Sequence, residues 1–214
     1  GLDHRLLAVL LKRIAKDHAP IADMRFAPMD PASSAYALLL QALRKAGMLP
    51  FQFYCFGNWY LRAPDTWPTY LSQRNSKLRN TIKRMNRKLI QEGGSLEIIT
   101  NAADVHRGVC AYRHVYSASW KVEEPFPDFV PGLIATAATE GWLRLGIVWL
   151  NGDAIAAQLW MVCNGKADIC KAAYDESFKA YSPGTVLTAH LLQHVLEKDQ
   201  VVEVDHLIGD DAYK

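Results

Sequence analysis

The first stretch of the chain carries apolar residues every three or four positions. Leu6, Leu7, Leu10, Leu11 and Ile14 share one helical face, so a helix is expected over 2–17, stopped by Pro20. A strand over 22–28 follows, then a second helix over 32–46 closed by Gly47. The aromatic run over 51–61 reads as a strand. From 67 to 92 one long helix is expected, with Leu71, Leu78, Ile82, Met85 and Leu89 along one stripe and Gly93-Gly94 after it. A short strand over 96–100, a helix over 104–120, a proline-rich loop over 124–131 and a helix over 133–140 come next. The most legible region lies beyond. Apolar runs over 143–150, 154–163 and 167–174 are separated by Asn151-Gly152 and Asn164-Gly165, and Asn-Gly between two such runs is a strong hairpin signal. A three-strand antiparallel meander results. A polar loop over 175–184, a helix over 185–198 and a strand over 201–208 complete the pattern.

A faint internal repeat accompanies this order. Shifted by 181, Leu6 falls on Leu187, Leu10 on Leu191, Leu11 on Leu192, Ile14 on Val195, Ile21 on Val202 and Asp30 on Asp211. Helical periodicity alone produces the first four matches, whereas a duplication produces all six. On the duplication reading, 1–62 is the tail of one α/β unit, 67–214 is a second, and the chain begins in mid-fold.

With 214 residues, half of them apolar and 21% charged, the composition is that of a globular protein of one large domain or two small ones. No apolar run approaches the ~18 residues of a membrane span, and no signal peptide is evident, so a soluble cytoplasmic protein is expected. The net charge of +2 does not by itself suggest a nucleic-acid binder. Its distribution changes that picture. Arg74, Lys77, Arg79, Lys83, Arg84, Arg87 and Lys88 fall between 66 and 91 with no acidic residue among them. This helix reads as a solvated face, as a phosphate-binding surface for an anionic partner, or as a partner or membrane surface.

Most candidate chemistry is excluded by spacing. Cys55, Cys110, Cys163 and Cys170 form no CxxC pair and read as reduced thiols. His190 and His194 have metal-ligand spacing, but no Glu follows His190 and no third ligand is evident, so no metal is expected. There is no GxSxG, and the glycines make no dinucleotide fingerprint. One loop stands out. Lys179, Ser182, Gly184 and Thr185 lie where a strand hands over to a helix, whose first N–H groups are unpaired and carry positive partial charge. Gly184 lets an anion approach that backbone, and Ser-Pro-Gly is also ordinary helix capping; both readings stand.

Here the sequence resembles the GNAT acyltransferases. The similarity is to the CelD/BcsL-type acetyltransferase domain, related to the Fem-type aminoacyltransferases that carry two GNAT units. It is borne by Ser119-Trp120-Lys121, Gly141-Trp142-Leu143-Arg144-Leu145, the segment Ala154 to Leu159, Lys171 to Glu176, Ser182-Pro183-Gly184, and Asp205 to Lys214, in that order over about 67–214. The resemblance implies a mixed, largely antiparallel α/β (α+β) sheet flanked by helices, with the strands 167–174 and 201–208 splayed apart around a donor thioester. It implies that the backbone at Cys170, Lys171 and Ala172 pairs with the donor's pantetheine amides. Lys179, Ser182, Gly184 and Thr185 would hold its pyrophosphate, although the family's Gln/Arg-x-x-Gly-x-Gly/Ala loop here has Lys179 first and Ser182 for the middle Gly. Asp205 would act as base and Tyr213 as acid, while Trp120, Lys121, Tyr174, Asp210 and Asp211 would line the acceptor side. The expected activity is transfer of an acyl group, acetyl above all, from acyl-CoA to an amine or hydroxyl acceptor, in envelope or exopolysaccharide metabolism. Acyl-CoA is then a co-substrate and no cofactor is permanently bound. A Fem-like use of aminoacyl-tRNA, or a non-catalytic binding module on the same fold, are the alternatives.

Overall fold

The computed structural model describes residues 3–20 and 23–208. The chain divides into two compact units, one up to Gly57 and one from Asn58 onward. The first is a helix pair. Helix α1 (His4–Asp17) is capped by Asp3 and α2 (Ser34–Lys45) by Ser33, whose side chains accept the N–H of Arg5 and Tyr36. Ala8 and Leu11 pack on Leu39, Ala42 and Leu43, and Gly47 (φ +82°) lets the chain turn after α2. Residues 23–28 form no strand, contrary to the sequence expectation. Among the described residues up to Gly57 there is no second strand to pair with them, and Met24 packs on the helix cluster instead.

The second unit is built on a six-stranded sheet in the order β1-β6-β5-β4-β3-β2. Its strands are β1 (Asn58–Arg62), β2 (Gly94–Ile99), β3 (Leu143–Leu150), β4 (Asp153–Cys163), β5 (Lys166–Tyr174) and β6 (Glu203–Ile208). Every neighbouring pair is antiparallel except β5 with β6. The meander β3-β4-β5 forms as its hairpin signals require. Asn151 (φ +52°) and Gly152 (φ +90°), and Asn164 (φ +52°) and Gly165 (φ +74°), place both central residues of each two-residue turn in the left-handed region. The expected strand over 51–61 begins only at Asn58. Phe51, Phe53 and Tyr54 remain exposed, and β1 starts where β6 provides a ladder.

Helices cover both faces. On one lie α5 (Val105–Ser117) and α6 (Phe129–Thr139), over Leu143, Leu145, Ile147, Ala157 and Leu159. On the other lie α3 (Trp67–Ser72), α4 (Ser76–Gln91) and α7 (Pro183–Glu197), over Val148, Leu150, Ala156 and Trp160. The period-2 alternation of β3 and β4 thus sorts their side chains between two cores. Gly146 sits where α7 comes closest: a Cβ there would stand 2.7 Å from Leu191 Cδ1.

Three element boundaries differ from the sequence expectation, each for a local reason. The long helix breaks in two because Asn75 restarts it as an N-cap, accepting Leu78 N–H at 2.8 Å. Helix α6 begins at Phe129 and holds Pro131 in its first turn, where no N–H is needed. The polar loop contains a short 3-10 helix, Glu176–Tyr181, capped by Asp175.

Candidate active site at the splayed strands

β5 and β6 pair at only three positions: Lys166 with Glu203, Ala167 with Val204, and Asp168 with Asp205. Beyond that point β6 keeps only its β1 ladder, with Ile208 opposite Asn58, while β5 runs on to Tyr174 against β4 alone. A register shift in the β4–β5 ladder sets Trp160 opposite Ile169 and Leu159 opposite Lys171, leaving Cys170 as the extra residue. Cys170, Lys171 and Ala172 therefore lie on a stretch of β5 whose β6-facing edge no strand covers among the described residues.

A charged clip joins the two strands at the end where they still pair. Asp205 is buried, and its carboxylate accepts from Lys166 Nζ (2.5 Å), Leu207 N–H (2.7 Å) and Asn58 Nδ2 (3.1 Å). Leu207 takes φ +56°, a conformation the Asp205 bond helps to fix. Burial works to raise the Asp205 pKa, but the bonds from Lys166, Leu207 N–H and Asn58 outweigh it and hold the carboxyl below its ordinary range. Lys166 is itself pushed up, first by the Asp205 bond, and also reaches Glu203 (3.3 Å) and Asp168 (3.4 Å). An Asp with a depressed folded pKa stabilises the fold above its unfolded pKa of about 4, and that contribution is lost as pH falls through the lower folded value. Asp205→Asn should therefore melt lower than the wild type at pH 7, by about 1–3 kcal/mol of stability. The gap should narrow as pH drops from about 5 to 3. Thermal melts of both proteins across that range check it; a gap independent of pH would contradict the ionised clip.

On the α7 side the sheet meets a helix start. Ser182 precedes α7 in the left-handed conformation (φ +47°), its N–H is taken by Lys179 O, and its side chain makes no cap bond. The first N–H bonded within the helix is that of Val186, to Ser182 O at 3.1 Å, so those of Gly184 and Thr185 have no intrahelical acceptor. The buried Gln158 pins this turn to the sheet, donating to Gly184 O (3.1 Å) and Thr188 Oγ1 (2.8 Å) and accepting from Trp160 Nε1 (2.9 Å). Gly184 itself is not left-handed, and a Cβ on it would meet only the Tyr174 ring, at 3.5 Å. The turn thus does not require glycine there. Lys179 stands exposed on the preceding 3-10 helix.

Tyr174 links this helix start to the other side of the opening. Its ring packs on Trp120 at 4.8 Å between centroids, and Lys121 Nζ lies 5.4 Å from the Trp120 ring. Lys171 Nζ is bound at 2.6 Å by Glu124, a residue the sequence reading leaves aside as part of a proline-rich loop. The Lys171 bond draws the Glu124 pKa below its ordinary value against the opposing effect of burial. No local motif marks Glu124; only its partner, 47 residues away, reveals it. The Cys170 thiol is pushed up to about 11 by burial, so it is a structural thiol rather than a nucleophile. Tyr213, Asp210 and Asp211 lie outside the described residues.

Two features stand apart from the opening. His194 reaches Asp199 at 3.7 Å, and Arg144 binds the same carboxylate through two bonds of 2.6 and 2.9 Å. No group of His, Cys, Asp and Glu fit to hold a metal occurs among the described residues. No helix among them is long and apolar enough to cross a membrane.

The acetyltransferase (GNAT) domain family model matches residues 76–214. No curated protein sequence matches the chain. Among solved structures, FemX superposes on 99% of this chain and 70% of its own with a TM-score of 0.64, at 11% identity. The C-terminal domain (DUF2156) of a protein described as a lysylphosphatidylglycerol synthetase from Agrobacterium fabrum covers 69% of this chain at TM-score 0.51 and 15% identity. This chain spans about half of that one, 46%. A conserved protein of unknown function from Bacteroides thetaiotaomicron aligns at TM-score 0.51 and 13% identity, over 71% of this chain and 50% of its own. At such identities the likeness is one of fold. Strands β2 to β6, the parted β5–β6 pair and the helix start beside it lie within the matched residues, and the chain belongs to the GNAT acetyltransferase-domain family.

Proposed function

We propose that the protein transfers an acyl group, acetyl above all, from acyl-CoA to a nucleophilic acceptor. The observation that carries this reading is the meeting of the open β5 edge with the unpaired N–H groups of Gly184 and Thr185. An extended donor arm with amides can add to the edge as a strand does, while its pyrophosphate takes the helix start. Cys170 to Ala172 offer the edge; Ser182, Gly184 and Thr185 offer the phosphate site; Lys179 adds an exposed cation. Asp205 serves to join β6 to β5 at their paired end, and a carboxylate already accepting three donors is poorly placed to take a proton. Trp120, Lys121 and Tyr174 face the acceptor, and Asp210, Asp211 and Tyr213 are proposed on the family resemblance alone. The CelD/BcsL kinship and an envelope or exopolysaccharide acceptor are proposed on the same ground. Calorimetry with acetyl-CoA and longer acyl-CoAs tests the reading. Saturable binding supports it, and no heat with any of them overturns it.

One observation favours a second reading, an aminoacyl-tRNA donor. Lys77, Arg79, Lys83, Arg84 and Arg87 of α4 form no ion pair among the described residues. Lys88 sits 4.4 Å from the ring centroid of Tyr181, so this basic stripe, about 16 Å long at the helical rise, begins beside the donor loop. A polyanionic donor predicts steep salt dependence. Lys83→Glu with Arg84→Glu and Arg87→Glu should then abolish tRNA binding, and the log-log salt slope of the wild type should be several units. Filter binding of bulk tRNA between 50 and 200 mM salt decides it; a flat slope removes tRNA as the donor.

A further inference from the structure

Resting on the acyl-CoA reading and naming a second donor for that same site, we infer that α4 docks a small acidic acyl carrier protein, whose serine-linked phosphopantetheine arm lays its thioester along β5. Two features adjoin here, and one donor uses both. The open β5 edge and the N–H groups of Gly184 and Thr185 suit an amide-bearing arm that ends in a phosphate. The basic stripe of α4 suits a polyanion larger than a nucleotide. CoA carries the arm but no body to cover the stripe, and tRNA has the charge but no pantetheine.

The stripe has the marks of a docking face. α4 holds Lys77, Arg79, Lys83, Arg84, Arg87 and Lys88 with no acidic residue among them, and none of these cations is in an ion pair among the described residues. Arg79 with Lys83, Lys83 with Arg87, and Arg84 with Lys88 stand one helical turn apart, so like charges repel along the helix until an opposite charge covers them. Lys77, Lys83, Arg84 and Arg87 line one open groove with Asn80 and Thr81, which lets carboxylates meet cations at its rim and hydroxyl or amide groups between them. Ile90, half exposed and next along the face after Arg87, adds an apolar contact at the upper end.

The stripe also lies where such a partner must sit. Lys88 Nζ is 4.4 Å from the centroid of the Tyr181 ring, and the Tyr181 hydroxyl donates to Glu92, the residue that caps α4. Tyr181 ends the 3-10 helix and Ser182 leads directly into α7, so a protein seated on α4 stands just outside the helix start. That start offers donors for one phosphate. Pro183 has no N–H and the N–H of Ser182 is taken by Lys179 O, which leaves those of Gly184 and Thr185. A carrier-bound arm presents a single phosphodiester to them, with the carrier's serine beyond it and its acidic surface against the stripe. When the acceptor attacks, its N–H or O–H bond and the thioester C–S bond break. The acyl bond to the acceptor and an S–H bond form, and the arm leaves as a thiol still attached to the carrier.

The test measures by calorimetry the Kd of the wild type for acetyl-CoA, for an acidic carrier protein bearing the acetylated arm, and for the same carrier without its arm, from about 50 to 200 mM salt. The acetylated carrier should bind about tenfold or more tightly than acetyl-CoA at the low end, lose that advantage at the high end, and bind more tightly than the armless carrier throughout. Lys77→Glu with Lys83→Glu should weaken the acetylated carrier about tenfold or more and leave the acetyl-CoA Kd within about twofold, because both positions are exposed and lie down the stripe from the donor loop. A carboxylate at 77 falls in the first turn, where negative charge is favoured, and one at 83 lies a turn from Arg79 and Arg87, so the double variant should melt no lower than the wild type. Equal affinity for acetyl-CoA and the acetylated carrier at low salt overturns the inference, as does a carrier preference untouched by salt or by the double variant. Binding of bulk tRNA with no binding of the carrier makes the stripe a nucleic-acid surface and overturns it too. Failure of the wild type to bind acetyl-CoA would instead overturn the acyl-CoA reading itself, and this inference with it.

Discussion

Gly184→Ala should melt no lower than the wild type and yet bind acetyl-CoA about tenfold more weakly, and Gly184→Val about 100-fold more weakly. Two facts set this pattern. The residue that takes the left-handed conformation before α7 is Ser182, so position 184 has no conformational need of glycine. An alanine Cβ there would lie 3.5 Å from Tyr174 Cδ1, ordinary contact, and replacing glycine in a helix stabilises by about 0.5–1 kcal/mol. On the proposed reading only a ligand close to the backbone suffers from the added atoms, because its phosphate would take the N–H groups of Gly184 and Thr185. Tenfold corresponds to about 1.4 kcal/mol and 100-fold to about 2.7. Melting curves and calorimetry on the two variants give both readouts. Unchanged affinity in folded Gly184→Val would remove this loop from the donor site, and with it most of the case for CoA.

Trp160→Ala carries the largest expected cost in stability. Trp160 is fully buried and lies in the core between β4 and α7. Truncating a buried aromatic costs about 3–5 kcal/mol, a large part of the 5–15 kcal/mol that holds a typical domain together. The change also strips Gln158 Oε1 of its donor, Trp160 Nε1, in a site where Gln158 is 3% exposed. A drop in Tm of about 10 °C or more is expected, with donor affinity falling too, since Gln158 pins Gly184 O. Trp160→Phe keeps most of the volume and separates the terms: it should recover much of the lost Tm while leaving Gln158 under-satisfied. A melt of Trp160→Ala at the wild-type temperature would contradict the packing described.

The elements with local instructions were legible in the chain itself. Asn-Gly pairs specify turns with two left-handed residues, and both hairpins of the meander formed there. The apolar stripe of Met85 and Leu89 is buried as its spacing requires, and the Gly93-Gly94 stop follows one residue after the α4 cap. Where two local signals competed, the reading along the chain slipped: Asn75 as an N-cap outweighed an otherwise continuous apolar stripe, and Phe51, Phe53 and Tyr54 joined no strand because a ladder needs a partner, which β6 offers only from Asn58. The loop at Ser182 and Gly184 could be read as a helix start, but not which residue needed the left-handed conformation; that depends on how Gln158, from β4, fixes the turn. The charge chemistry was least legible. Lys166 and Asp205 lie 39 residues apart, and Glu124 and Lys171 47 apart. An ion pair of that separation has no periodicity and no spacing; it exists only once the sheet and the loop after α5 bring the two charges within reach in a partly desolvated place. Hence most helices and strands followed from the order of residues, while the pairing of these charges, Asp205 with Lys166 and Glu124 with Lys171, was decided by tertiary structure alone.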